Sequence, residues 1–375
     1  MKEPQASVAE KSQTLISQTA PRQSFLARFQ RWEWILVGLI IAVIVINTRL
    51  SPYFLNVLNL SRASSDFMEI GLMMLPMVLI IITGNVDLSV ASNMGMSASL
   101  MGLLHNLGVN IWLAVLAGLA LGTLGGLLNG YLISRVKLPA LVVTLGTYAL
   151  FRGIAYGFLG DQAARDYPAA FNYIGQGHVL GSLVPFSVML FLILAVIFTL
   201  VLHRTTFGRY LFAIGNNENA TIYSGVPVAS LKLILFTLSG FISALAGMVL
   251  AARFGSTRPD IGTGLELTVI TAAVLGGVDI NGGTGTMWGA ALSLLLIGLM
   301  RFGMGLINIQ GQVQGILIGL LLIFSILLPN IVRNLSGKGK KIRWQSVAAV
   351  AVFATILILF FIFFFWSRAA VIAAI

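Results

Sequence analysis

Residues 67–99 read FMEIGLMMLPMVLIIITGNVDLSVASNMGMSAS. An apolar run ends at Thr83 and Gly84, the chain turns through Asp87, and a second run opens on small residues. About twenty apolar residues cross a bilayer core, so the stretch predicts two membrane helices, near 66–84 and 88–105, joined by a tight turn. The same rule places helices near 33–50, 111–134, 139–159, 184–202, 229–252, 265–279, 287–306 and 312–331, with an eleventh candidate at 347–366. The expected fold class is therefore all-α, a polytopic integral membrane protein with about ten transmembrane helices.

Composition agrees. Of 375 residues, 58% are hydrophobic and 9% charged, whereas soluble domains carry roughly 25% charged residues; mean hydropathy is +0.95. No polar stretch approaches the ~100 residues of an ordinary soluble domain. The expected organisation is a polar cytoplasmic tail at 1–31, one transmembrane domain at 32–331, a basic segment at 332–346 and a further hydrophobic helix with a short tail at 347–375. The apolar run after the tail is too long for a signal peptide and no small-residue cleavage site follows it, so the first helix is expected to be retained.

The net charge of +11 points to the bilayer rather than to nucleic acid, because the bases fall in short connections between spans. With the N-terminus in the cytoplasm, fifteen of the 23 Lys and Arg lie inside, among them every lysine. The opposite orientation would place those fifteen outside, against the enrichment of bases in cytoplasmic loops. Trp32, Trp34, Trp112, Trp344 and Trp366 fall near predicted helix ends, as interfacial anchors do.

Reactive chemistry is sparse. The chain has no cysteine and three scattered histidines, which excludes disulfides, thiolate sites and a cysteine nucleophile and makes a histidine metal cluster improbable. The run SGKGKK at 336–341 lacks the glycine spacing and the hydroxyl of a phosphate loop. HExxH and GxSxG are absent, and chains of paired carboxylates are thin. No enzyme activity, cofactor or metal is expected, and energy for any uphill transport is expected to come from another subunit.

Two interruptions resemble each other: TGNVDLSVASNMGMSAS at 83–99 and LGGVDINGGTGTMWGAA at 275–291. Asp87 with Ser89, and Asp279 with Asn281, sit at matching places, and breaks at corresponding positions of two halves point to a solute path or a hinge beside it. Two plain cytoplasmic turns are the other reading. Thr144 and Thr147 either line a polar path or bond their own backbone four residues back. GLALGTLGGLLNG at 118–130 carries small residues at helical spacing for close packing, with Asn129 as a polar exception. Asp66, Glu69, Glu266, Arg152 and Arg301 also lie in or near spans, where ionisable groups face a cavity or each other; Asp66 and Glu69 should share a helix face near the outer end.

The cytoplasmic loop HRTTFGRYLFAIGNNENATIYSGVPV at 203–228 is longer than a plain connection requires. Gly215 is expected to end one element, Asn216 or Asn217 to cap a short exposed helix near 217–224, and Gly225 with Pro227 to close it.

Here the chain resembles a family, the permease subunits of sugar-type ATP-binding cassette (ABC) importers of the ribose, xylose, rhamnose and autoinducer-2 group. The resemblance is carried by GNVDLSVAS (84–92), NGYLISRVKLPALVVTLGT (129–147), FGRYLFAIGNNENATIYSGVPV (207–228) and GTGLELTVITAAVLGGVDINGGTGTMWGAAL (262–292), in that order. It implies a bacterial inner-membrane permease that pairs with a second permease chain, like or unlike itself. It further implies cytoplasmic ATPase subunits and an extracytoplasmic sugar-binding protein. The family's coupling segment maps onto Gly215, Asn216, Asn217, Glu218, Asn219, Ala220, Ser224 and Gly225. Glu218, Asn219 and Ala220 stand where many importers show Glu-Ala-Ala, with Asn in the middle and the glycine one residue late. Asp87, Ser89, Asn129, Thr144, Thr147, Asp279 and Asn281 are the candidate pathway residues. The competing function is a secondary carrier or facilitator working without an ATPase.

Overall fold

The computed structural model describes residues 31–336, so the tail at 1–30, most of the basic segment and the candidate helix at 347–366 lie outside the described residues. Fourteen α-helices follow one another: α1 (Arg31–Leu50), α2 (Val57–Ser65), α3 (Met68–Ile82), α4 (Val90–Asn106), α5 (Ile111–Ser134), α6 (Ala140–Leu159), α7 (Ala169–Gln176), α8 (Phe186–Arg204), α9 (Thr206–Asn216), α10 (Glu218–Tyr223), α11 (Val228–Phe254), α12 (Leu265–Leu275), α13 (Met287–Leu306) and α14 (Gly311–Ser336). A helix stands at each of the ten predicted positions. Among the described residues, α1, α5, α6, α8, α11 and α13 are long and apolar enough to cross a bilayer alone, and α2 with α3 makes a seventh span bent by 49°. α12 is shorter, and serines and Asn93 dilute the apolar character of α4.

The core is built around α3. All fifteen of its residues are buried, because a helix that is apolar on every face hides all of it only when surrounded by other helices. α8, α11, α12 and α13 pack around it. Gly71 admits Phe191 of α8 and Leu294 of α13, whose side chains lie where a methyl group would project. By contrast, α6 and α8 leave large aliphatic side chains exposed along one side, as lipid-facing helices do.

The glycine run of α5 packs on α11 at backbone distance. A methyl group on Gly126 would meet the backbone of Gly240, and one on Gly130 the backbone of Leu233. Small residues thus permit the close approach expected from their spacing. Asn129 is the polar exception, its Nδ2 donating to Ser89 Oγ at 2.8 Å.

One expectation needs correction. The predicted span 66–84 is divided, because the Asp66 amide closes the last turn of α2 by donating to Ala63 O, and Phe67 leaves helical geometry with φ −127° and ψ 9°. Asp66 and Glu69 therefore flank a break rather than share one helix face. They still converge on one cation: Arg253, at the end of α11, donates to Asp66 Oδ1 at 2.7 Å and to the buried Glu69 Oε1 at 2.8 Å. Removing the Glu69 carboxylate from water is offset by that guanidinium, which the exposed Asp66 shares.

Arg152 of α6 performs a different task at the same end of the bundle. Its guanidinium donates to the carbonyls of Pro259 and Ile261 and to Ala91 O, fastening the 255–264 connection to the helices.

Candidate functional site: a seat for an exposed helix

The two interrupted turns are built alike and lie against each other. Asp87 Oδ1 accepts from the Ser89 amide at 3.0 Å, and Asp279 Oδ1 accepts from the Asn281 amide at 2.9 Å. In each case a carboxylate bonds its own backbone two residues on, the Asx turn that Asp favours. The aspartates, rather than Ser89 or Asn281, thus satisfy the amides freed at the two breaks. The Gly283 amide then donates to Ile82 O at 2.9 Å, joining the second turn to the end of α3. Gly282 and Gly283 have φ of +88° and +81°, a conformation open to glycine at little cost.

Into this junction comes the end of α9. Gly215 was expected to end an element, yet α9 runs on through Asn216. Its lack of a side chain serves contact: a methyl group there would strike the Ile82 carbonyl and the Gly283 amide, so larger residues are excluded by backbone on two sides. Asn216 Nδ2 donates to Phe212 O at 2.9 Å, and its Oδ1 lies where a methyl group on Gly283 would project.

The chain then reverses into α10. Asn217 is the N-cap, with φ −161°, and its Oδ1 accepts from the Ala220 amide at 2.9 Å; capping of this kind contributes about 1 kcal/mol. Ser224 Oγ donates to Ala220 O, and Gly225, at φ +81°, ends the element. A six-residue helix has little stability of its own, so anchorage must come from outside it. Thr221 is buried, and Ile214, Val228 and Leu231 form a small apolar cluster beneath the turn. Lys232, in the first turns of α11, donates to both carboxylate oxygens of Glu218 at 2.8 Å. Its side chain is 10% exposed against 44% for that of Glu218.

The opposite face of α10 is open. Tyr223 is 90% exposed and Ile222 49%, and Glu218, Asn219, Ala220, Ser224 and Gly225 are surface residues beside them. An amphipathic aromatic and an aliphatic side chain on a capped, tethered helix give a rigid projecting contact of the kind enriched at interfaces.

The remaining candidates fall into two groups. Asp87, Ser89 and Asn129 are brought together in one buried network, completed by Ser239 Oγ, which donates to Asp87 Oδ2 at 3.0 Å. Asp279 and Asn281 are separate from it and nearer the surface. Thr144 Oγ1 donates to Ala140 O at 2.9 Å and Thr147 Oγ1 to Val143 O at 3.0 Å, so both hydroxyls bond their own backbone four residues back. Lys232, Ser239, Ile222 and Tyr223 were missed. Lys232 was legible only as an orienting base, and its partner stands fourteen residues away. Among the described residues no cluster of His, Asp and Glu could hold a metal ion.

Comparison with known proteins identifies the family. Residues 59–326 match the family described as branched-chain amino acid transport system / permease component. The autoinducer 2 import system permease protein LsrD of Klebsiella pneumoniae subsp. pneumoniae is 39% identical over 298 residues, 78% of this chain and 89% of that protein. The proteins of that name in Escherichia coli K12 and Shigella flexneri are each 38% identical over 298 residues, 78% of this chain and 90% of theirs. No solved structure matches the chain. Permeases of this kind act with ATPase and solute-binding partners and carry no ATP site of their own. The chain belongs to this permease family and is a membrane subunit of an ABC importer, a transporter component and not an enzyme.

Proposed function

We propose that the chain forms the membrane passage for a sugar-type solute, in the class that includes autoinducer-2, and that α10 is the element through which the ATPase drives it. The observation that carries the second half is the seating of α9 and α10: Gly215 and Asn216 abut both interrupted turns, while Tyr223 projects freely. Closure of the ATPase subunits on α10 would press the junction of Ile82 with Gly283 and tilt α3 and α13 together. On this reading the two turns are a hinge beside the path, and the buried Asp87–Ser89–Asn129–Ser239 network holds the first turn to α5 and α11. The solute class is supported by the relatives named for autoinducer 2 import.

The reading further gives a multi-pass protein of the bacterial inner membrane with about ten spans over residues 32–331 and an eleventh candidate at 347–366, a cytoplasmic N-terminus, and α10 on the cytoplasmic side. It works beside a second permease chain, like or unlike itself. The test is reconstitution with ATPase, partner permease and binding protein, scoring ATP hydrolysis against autoinducer-2, D-ribose, L-rhamnose and leucine. Stimulation by one of the three sugar-type ligands is expected; stimulation by leucine alone would overturn the class.

A further inference from the structure

A cavity of about 370 Å³ opens between the bend joining α2 to α3, the last turns of α13 and the start of α14. That volume is in the range of small-molecule sites, roughly 300–1,000 Å³. Its polar lining is Asp66, Arg301 and Gln314, and its apolar walls include Phe67, Phe302 and the surface of Gly305. The Arg301 Nε–H is buried and has no hydrogen-bond partner among the described residues. A buried donor left unmade costs about 1–3 kcal/mol, and a guanidinium within a span faces a cavity or a partner rather than lipid.

The charges beside it are accounted for. Asp66 and Glu69 already share Arg253, which bonds one oxygen of Asp66 and leaves the other edge of that carboxylate open, so little negative charge is left to hold a cationic ligand. The Gln314 amide donates to Ile309 O at 2.9 Å, which leaves its oxygen as an acceptor. What remains is a forked donor, an amide acceptor, the free edge of a carboxylate and aromatic walls. Such a set suits several hydroxyls on a small neutral ring.

We infer that this cavity is a solute subsite at the mouth opposite α10, in which Arg301 and Gln314 bind the hydroxyls of a sugar-type solute against Phe302. The inference rests on the sugar-type reading above and on the orientation that puts this end outside.

Because the chain has no cysteine, one substitution reports on the cavity. Gly305 has open space where a side chain would project, so Gly305→Cys places the chain's one thiol at its wall. The full chain, assembled with partner permease, ATPase and binding protein in nanodiscs, is labelled with a membrane-impermeant maleimide. The assay is repeated with autoinducer-2, D-ribose, L-rhamnose and leucine. The transported sugar should slow labelling about threefold when present at twice its dissociation constant. Adding Arg301→Ala should abolish that protection when each variant's rate with solute is compared with its own rate without solute, since a nearby guanidinium itself sets thiol reactivity, and Arg301→Lys should retain part of it. Uptake of a sugar that leaves labelling unaffected would overturn the subsite while leaving the solute class standing. Protection by leucine alone would overturn the class and the inference with it. A disulfide between two copies at position 305 would make the cavity an interface and equally overturn it.

Discussion

The pair Lys232–Glu218 allows the anchorage of α10 to be measured. At 2.8 Å two unit charges attract by about 6 kcal/mol at an effective dielectric near 20. Most of that is offset, because Lys232 is withdrawn from water and Glu218 remains half in it, so a net coupling of about 1 kcal/mol is expected. The single changes should be unequal. Glu218→Ala strands a buried ammonium, whereas Lys232→Ala leaves a carboxylate that water can reach. The assay is a double-mutant cycle on the affinity of the ATPase subunit for the nanodisc-embedded permease. Glu218→Ala should weaken binding about tenfold, equivalent to 1.4 kcal/mol, Lys232→Ala less, and the double variant little more than Glu218→Ala alone. Strict additivity of the two effects, or two singles indistinguishable from the parent, would refute the claim that this ion pair holds the helix in place.

Three further outcomes follow from the packing. Gly215→Ala forces a methyl group onto the Ile82 carbonyl and the Gly283 amide; an overpacking cost of about 1–3 kcal/mol should abolish solute-stimulated ATP hydrolysis while ATPase binding persists, and unchanged stimulation would argue against contact at that point. Asp87→Ala removes the acceptor of Ser89 N, Ser89 Oγ and Ser239 Oγ, so the melting temperature in detergent should fall, and fall further than for Asp87→Asn, which keeps one oxygen. Thr147→Val deletes only bonds to its own helix, and Thr144→Val adds to such a bond the loss of one long contact with Val86 O at 3.4 Å; both should leave the KM for uptake within about twofold, since i−4 back-bonding contributes little, and a larger rise would return the residue to the solute path.

Helix positions were legible because lipid imposes a length and an apolar content that few other environments demand. The cap at Asn217 and the turn at Gly225 were legible for the same reason that they work: short polar side chains and glycine act locally. What escaped was set by contacts distant in sequence. Nothing near Gly215 announces that its missing side chain makes room for backbone from Ile82 and Gly283. Lys232 reads as an orienting base until α10 folds back beside it. The break at Phe67 was hidden because Asp66 and Glu69 look like neighbours on one continuous helix, and only Arg253, 184 residues after Glu69, shows where both carboxylates point. The likeness of the two turns was visible as spelling, and their contact was not.

The most direct measurement of the lever role is ATP-dependent uptake by vesicles in which residues Glu218–Ser224 are replaced by a Gly/Ser linker of equal length. The substitution should leave the chain inserted and assembled with its partner permease, with uptake reduced to the level seen without ATP. Uptake equal to that of the unaltered protein would contradict the account.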